Sequence, residues 1–327
     1  MDYAAIEKMT SLVKEKNSVV DAVKKEMGKV IFGQNNLIDR ILISFFCDGH
    51  ILVEGLPGLA KTLTVRSFAK TLSGHFNRIQ FTPDILPADL IGTRIYNPKD
   101  MEFFTKKGPI FCNILLADEI NRAPAKVQSA LLQAMEEKNV TIGEDTYKLE
   151  SPFMVLATEN PIEQEGTYPL PEAQLDRFFM KVLVSYPDRV EELDILKNYG
   201  SINTDNVNNV ITLDEIADIK NVISGIYVDD KLNEYIVNIV SETRKPANAD
   251  VAQLIDFGAS PRASIALMKA SRAVAFMKGR GFVTPEDIKE IGADILRHRI
   301  ILSYEAEAED ITTDDAVKLI FDSVEVP

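Results

Sequence analysis

Lys61 and Thr62 are the residues whose types and spacing point most directly to phosphate chemistry. They close the run Gly55-Leu56-Pro57-Gly58-Leu59-Ala60-Lys61-Thr62, which lies between an apolar stretch, His50 to Glu54, and a helix-like stretch. Glycines let the backbone turn sharply and offer several N–H groups to one anion, because no Cβ blocks the approach. The lysine ammonium can then reach β and γ phosphates, and the threonine hydroxyl suits a magnesium ion. The positive end of the following helix adds to the anion site. One position departs from the usual Gly-x-x-x-x-Gly-Lys-[Ser/Thr] pattern, with Ala60 standing at the second glycine. The bland alternative is a tight strand-to-helix turn carrying a surface lysine.

Downstream residues weigh against that alternative. Ile114-Leu115-Leu116-Ala117 is an apolar strand that ends in Asp118 and Glu119. An acid at the carboxyl end of such a strand can hold a hydrated magnesium, and the next can polarise a water for in-line attack on a γ-phosphate. A third apolar run, Phe153 to Ala157, ends in Thr158-Glu159-Asn160-Pro161, where the Asn160 amide is either a water-orienting group or a turn former before proline. Arg177, in Leu175-Asp176-Arg177-Phe178, is either a cation at a helix end or an arginine finger. Ser260-Pro261-Arg262 opens a long helix, and Arg262 reaches a phosphate if that helix folds back over the nucleotide.

Taken together, these segments resemble an AAA+ ATPase, and specifically the MoxR family. The resemblance is carried by the alanine-bearing phosphate loop and by Ala117-Asp118-Glu119-Ile120-Asn121-Arg122-Ala123-Pro124. Ala157-Thr158-Glu159-Asn160-Pro161, Tyr168 to Phe178 and Ser260-Pro261-Arg262 complete it, in order over about residues 30 to 265. Within that family the alanine at position 60 is ordinary. The resemblance implies that Gly55 to Leu63 bind Mg-ATP, with Thr62 and Asp118 serving the metal. It implies Glu119 as catalytic base, Asn160 as sensor 1, Arg177 as arginine finger and Arg262 as sensor 2 on the nucleotide. Ile31, Phe32, Gly33 and Gln34 resemble the segment that lies against adenine.

Composition bounds the other possibilities. A chain of 327 residues suggests two domains and can bury a sizeable core. No run approaches the roughly 18–20 apolar residues of a membrane span, and the amino end lacks the pattern of a signal peptide, so a cytoplasmic protein is expected. Cys47 and Cys112 are far apart within apolar runs, which argues for buried thiols rather than a disulfide or zinc site. His50, His75 and His298 show no ligand spacing. The net charge of −14 opposes nonspecific binding to nucleic acid or anionic lipid.

The elements that must position these residues form an α/β pattern. Two helical stretches, broken near Asn17-Ser18, precede strands at His50 to Glu54, Arg78 to Thr82, Ile114 to Asp118, Phe153 to Ala157 and Met180 to Val184. Five apolar strands alternating with helices predict a mostly parallel sheet covered on both faces, with the phosphate loop at the strands' carboxyl ends. Two segments read as β-hairpins around Asn97-Pro98-Lys99-Asp100 and Gly143-Glu144-Asp145-Thr146. They resemble the inserted, pore-facing hairpins of MoxR-type proteins, or else they cover a sheet edge. The expected domains are 1–187, an AAA+ P-loop nucleotide-binding core with N-terminal helices, and 188–327, an all-helical lid. Residues 203–209 read as loop, and Ser303 to Asp314 as a mobile acidic stretch.

The function so read is Mg-dependent ATP hydrolysis by a ring oligomer, hexameric by resemblance, coupled to remodelling or maturing a client protein. The resemblance also suggests a partner with a von Willebrand factor A domain. Competing readings are a nucleotide-operated binding switch with slow hydrolysis, a DNA-dependent ATPase, which the net charge disfavours, and a magnesium-chelatase-like motor subunit.

Overall fold

Strand Ile114–Asp118 is buried along its whole length, and its alternate residues enter different cores. Ile114 and Leu116 join the apolar cluster on one side of the sheet, whereas Leu115 and Ala117 join the cluster on the other. Side chains of a strand point to opposite faces in turn, so an uninterrupted apolar run is what a strand covered on both faces requires. The computed structural model describes residues 3–162, 166–198, 200 and 204–327.

In chain order, α1 (Tyr3–Lys16), α2 (Ser18–Met27) and α3 (Asn35–Phe46) lead into β1 (Ile51–Gly55) and α4 (Lys61–Lys70). Then come β2 (Phe76–Gln80), α5 (Pro87–Ile91), and the hairpin of β3 (Gly92–Asn97) and β4 (Glu102–Lys107). Strand β5 (Ile114–Asp118), α6 (Ala125–Glu137) and a second hairpin, β6 (Asn139–Ile142) with β7 (Asp145–Lys148), precede β8 (Met154–Glu159). A short α7 (Glu172–Leu175) and β9 (Met180–Val184) follow. The five long strands pair in the order β2-β5-β8-β1-β9, all parallel. Because β5, β8 and β1 are adjacent, the loops leaving their carboxyl ends converge on one crevice, the usual ligand position in such a sheet.

Beyond the sheet lie α8 (Arg189–Asn198), α9 (Leu213–Ser224), α10 (Asp230–Glu242), α11 (Ala249–Leu254) and the long α12 (Pro261–Met277). After these come α13 (Pro285–Leu296), α14 (Tyr304–Ala308) and α15 (Thr313–Ser323). Thr212, Thr284 and Thr312 each begin a helix with a reciprocal capping box. The helical lid expected from the sequence is present, and it also contains a small antiparallel ribbon, β10 (Ile255–Phe257) with β11 (Ile301–Leu302). Strands of three and two residues are too short to leave a periodic signal. Within the acidic stretch Ser303 to Asp314, α14 is capped by Ser303, which accepts from the Ala306 N–H, and Asp314 is paired with Arg297 at 2.7 Å. Of the expected loop at 203–209, residue 203 lies outside the described residues, and Thr204–Asn206 forms a single 3₁₀ turn.

The helical region is fastened to the N-terminal helices by polar contacts as well as by apolar packing. Arg40 of α3 pairs with Asp294 of α13 at 2.6 Å, both side chains being buried. Asn17, which breaks α1 from α2, donates to the carbonyls of Phe276 and Met277 at the end of α12. The Phe276 carbonyl also accepts from the Gly279 N–H, and the asparagine supplies further donors to this helix end from a distant part of the chain.

Candidate active site

The phosphate loop joins β1 to α4, and its geometry explains its composition. A Cβ on Gly55 would stand 2.8 Å from the Val184 carbonyl, so the close approach of β9 demands glycine there. Gly58 and Ala60 both have positive φ, at 85° and 57°. Ala60 therefore holds a left-handed conformation that glycine adopts without penalty, which is why the usual pattern has glycine at this place. Lys61 and Thr62 open α4, and the first four N–H groups of such a helix lack intrahelical partners. The Lys61 ammonium is held by the carbonyls of Gly55 and Glu159. Burial pushes its pKa down, while Asp118, Glu119 and Glu54 oppose that shift.

Asp118 and Glu119 stand opposite this loop at the end of β5. One Asp118 oxygen accepts from the Thr158 hydroxyl at 2.6 Å. The other lies 3.3 Å from the Thr62 hydroxyl and 2.7 Å from Nη2 of Arg78. Glu119 has φ 57°, a conformation rarely taken by non-glycine residues, and its N–H donates to the Thr158 hydroxyl at 2.9 Å. That bond turns the Glu119 side chain out of the strand. Its carboxylate accepts from Gln80 Nε2 at 2.7 Å and pairs with Arg122 at 3.2 Å. Asn160 is buried at the end of β8, its side-chain oxygen accepting from the Ile162 N–H at 3.3 Å. Lys61, Thr62, Leu63, Asp118, Glu119 and Asn160 share one cavity of about 380 Å³. Arg78, Gln80 and Thr158 line it too, although no sequence motif assigns them a role.

The segment Ile31 to Gln34 forms the turn between α2 and α3. Ile31 is buried, while Gly33 and Gln34 have φ of 72° and 57°. Gln34 donates to the Ser185 carbonyl at 3.4 Å, one residue beyond the Val184 carbonyl that crowds Gly55. The turn thus lies beside the phosphate loop, across strand β9.

Arg177 and Arg262 belong to a different place. Both reach Glu136 near the end of α6, Arg177 at 3.3 Å and Arg262 at 2.6 Å. The cleft they line, of about 350 Å³, shares no residue with the phosphate cavity and also presents Lys138 and Lys269. Asp176 holds the pair together. It accepts from the Ser260 hydroxyl that caps α12 at 3.0 Å, and from Arg299 at 2.7 Å. The Arg299 guanidinium is buried and also donates to the carbonyls of Phe178 and Phe179. The start of α12 lies beside Asp176 through Ser260, and Arg262 pairs with Glu136 in this cleft.

His50 and His298 are core residues. His50 Nδ1 accepts from the Val155 N–H and its Nε2 donates to the Met135 carbonyl, which fixes one neutral tautomer; burial pushes its pKa to about 4. Burial likewise raises both cysteine thiols to about 12. Among the described residues no cluster of His, Cys, Asp or Glu has metal-site geometry, and no helix is long and apolar enough to cross a membrane.

A parallel α/β sheet with a phosphate loop after β1, an acid pair after β5 and a helical region behind defines an AAA-type nucleoside triphosphatase. Known proteins agree. Residues 50–180 match the ATPase family associated with various cellular activities (AAA), and residues 247–320 match the AAA lid domain. The chain is 45% identical to Chaperone MoxR1 of Mycobacterium tuberculosis over 305 residues, covering 92% of this chain and 81% of that one. It is 44% identical to the uncharacterized protein YeaC of Bacillus subtilis, covering 93% of each. Protein MoxR of Paracoccus denitrificans is 32% identical, over 86% of this chain and 88% of that one. A crystal structure of a proposed ATPase from Cytophaga hutchinsonii superposes with a TM-score of 0.89 at 49% identity, covering 98% of each chain. The chain belongs to the MoxR family of AAA ATPases, and ATP hydrolysis is its activity.

Proposed function

We propose that this chain is a Mg-dependent, ring-forming ATPase whose catalytic site is completed by a neighbouring subunit, and that turnover drives chaperone-like remodelling of a client protein. The observation that carries this reading is the separation of two groups that a triphosphatase needs together. Lys61, Thr62, Asp118, Glu119 and Asn160 share one cavity, while Arg177 and Arg262 meet on Glu136 in another. A closed ring sets the second face of one copy against the first face of the next, which would bring both arginines to the neighbour's γ-phosphate.

The donor set suits magnesium. The Thr62 hydroxyl and an Asp118 carboxylate oxygen are hard oxygen ligands 3.3 Å apart on one cavity wall. Thr62 and Asp118 would hold the magnesium, which would supply Lewis-acid neutralisation of phosphate charge. Gly55 to Leu63 would wrap the phosphates, with Lys61 exchanging its two carbonyl partners for phosphate oxygens. Ile31 to Gln34 would lie against adenine. Glu119 would accept a proton from the attacking water, oriented with help from Asn160, and Arg177 would stabilise the charge that develops. Glu119 accepts from Gln80 and pairs with Arg122, so acting as base would require it to exchange those partners for the water.

Residues 1–187 would form the nucleotide-binding domain and 188–327 the lid. The two hairpins would face the client. Tyr96, Met101, Phe103 and Phe104 are exposed on the first, and that hairpin leans on the second through Thr105 and the Tyr147 hydroxyl at 3.0 Å. A hexamer, a cytoplasmic location and a von Willebrand factor A partner are the family-level expectations that go with this assignment. The test is Mg-dependent ATPase activity per chain as concentration rises from nanomolar to tens of micromolar. The shared site predicts specific activity that climbs with concentration, and a flat, measurable rate would overturn it.

A further inference from the structure

We infer that Arg78 is a phosphate-reading residue of the chain's own ATP site, released from Asp118 when the metal–nucleotide complex arrives, and that it makes the site prefer ATP over ADP. The inference rests on the reading of the loop cavity as the Mg-ATP site.

Arg78 comes from β2, the edge strand beside β5, in register with Leu116 and two residues before Gln80, which stands opposite Asp118. Its guanidinium crosses to Asp118 through two bonds, Nε at 3.2 Å and Nη2 at 2.7 Å, and both fall on the same oxygen, Oδ2. The other oxygen, Oδ1, is already taken by the Thr158 hydroxyl. Oδ2 is therefore the oxygen left to face Thr62, and it is the atom that Arg78 covers. A divalent cation and a guanidinium compete for that atom, since two cations at such spacing repel strongly where water is partly excluded.

The arginine has somewhere to go. Its side chain is half exposed, and Nη2 also touches Gln80 Oε1 at 3.2 Å, on the side where Gln80 in turn holds Glu119. Arg78 and Glu119 thus stand on one wall of the cavity, around the place where the terminal phosphate and attacking water belong. Lys61 and Arg78 are the two cations among the lining residues, against Asp118 and Glu119. Placing magnesium on Asp118 frees Arg78, and the γ-phosphate is the anion within that cavity able to take a planar, two-pronged donor. ADP offers no such group. Arg78 would then do for the nucleotide-free site what the metal does for the loaded one: neutralise Asp118 until cargo replaces it.

The experiment measures binding rather than turnover. Affinities of the full chain for the Mg complexes of the non-hydrolysable analogue AMPPNP and of ADP are determined by calorimetry for wild type, Arg78→Ala, Arg78→Gln and Lys61→Ala, with melting temperatures as a fold control. Relative to wild type, Arg78→Ala should lose about ten- to a hundredfold of the preference for Mg-AMPPNP over Mg-ADP, the loss of one charge-assisted phosphate contact, with Mg-ADP bound no more weakly than before. Arg78→Gln should behave similarly and serves if the alanine variant fails to fold. Equal weakening for both nucleotides, or no change for either, would overturn the inference. If Lys61→Ala binds both as tightly as wild type, the reading of the cavity itself fails.

Discussion

Arg262 meets Glu136 at 2.6 Å, at the opposite end of α6 from the loop that carries Glu119. One helix therefore begins beside Glu119, the proposed base, and ends at the two arginines that the shared-site proposal gives to another copy. Movement of α6 would be felt at both places. The first prediction concerns Arg262→Ala. Nucleotide affinity of the dilute chain should be unchanged, because Arg262 does not line that cavity, while turnover of the concentrated protein should fall by about a hundredfold. Nucleotide titration at low protein concentration and ATPase assays at high concentration separate the two. A variant with wild-type turnover would remove Arg262 from the mechanism.

Gln80 donates to the Glu119 carboxylate at 2.7 Å. Removing one such bond is worth about 1 kcal/mol, so Gln80→Ala should raise basal ATPase activity by a few-fold without changing ATP affinity. A lowered basal rate with unchanged affinity would mean that Gln80 assists the base instead of restraining it.

Ala60 occupies a left-handed position at φ 57°. The steric cost of that conformation for alanine exceeds the extra entropy that glycine brings to the unfolded chain. Ala60→Gly should therefore stabilise the protein by roughly 0.5–1 kcal/mol. Urea denaturation measures it, and a destabilised variant would contradict the argument.

His50 gives a pH dependence with a definite sign. Its folded pKa is about 4 against an ordinary value of 6.5, so between those limits the unfolded chain binds the extra proton. Stability from this group is fully present above about pH 6.5 and is lost progressively as pH falls towards 4, by roughly 3 kcal/mol in all. His298, also held neutral by burial, acts in the same direction. Glutamine at position 50 can accept from Val155 and donate to Met135 without titrating. His50→Gln should accordingly flatten the fall in stability between pH 6.5 and 4, as followed by denaturant midpoints, and an unchanged slope would show that His50 is not the group involved.

The phosphate loop and the Asp118-Glu119 pair are legible in the amino-acid sequence because each is a contiguous run whose chemistry lies in adjacent residues. The parallel sheet is legible for a related reason, since fully apolar strands such as Ile114–Asp118 make sense only between two layers. Arg78 and Gln80 carry no comparable signal, because their part depends on the pairing of β2 with β5, a tertiary register that no local pattern records. Their alternation on a strand with one buried residue, Ile79, is the one hint. The meeting of Arg177 and Arg262 on Glu136 is likewise out of reach of local patterns, because it depends on where α12 begins relative to Asp176. The ribbon of β10 and β11 is too short for any period to show.

A shared site would take Glu119 from one chain and Arg177 from another for the same ATP. Mixing two inactive variants tests it most directly. Glu119→Gln lacks the base but keeps the arginine, and Arg177→Ala lacks the arginine but keeps the base. Each alone should be nearly inactive at micromolar concentration. In mixed rings an intact site forms wherever an Arg177→Ala chain binds ATP beside a Glu119→Gln chain, so the mixture should hydrolyse ATP well above the sum of the two. If the mixture is no more active than its separate parts, although both variants bind ATP and assemble, the site is not shared between subunits and the account fails.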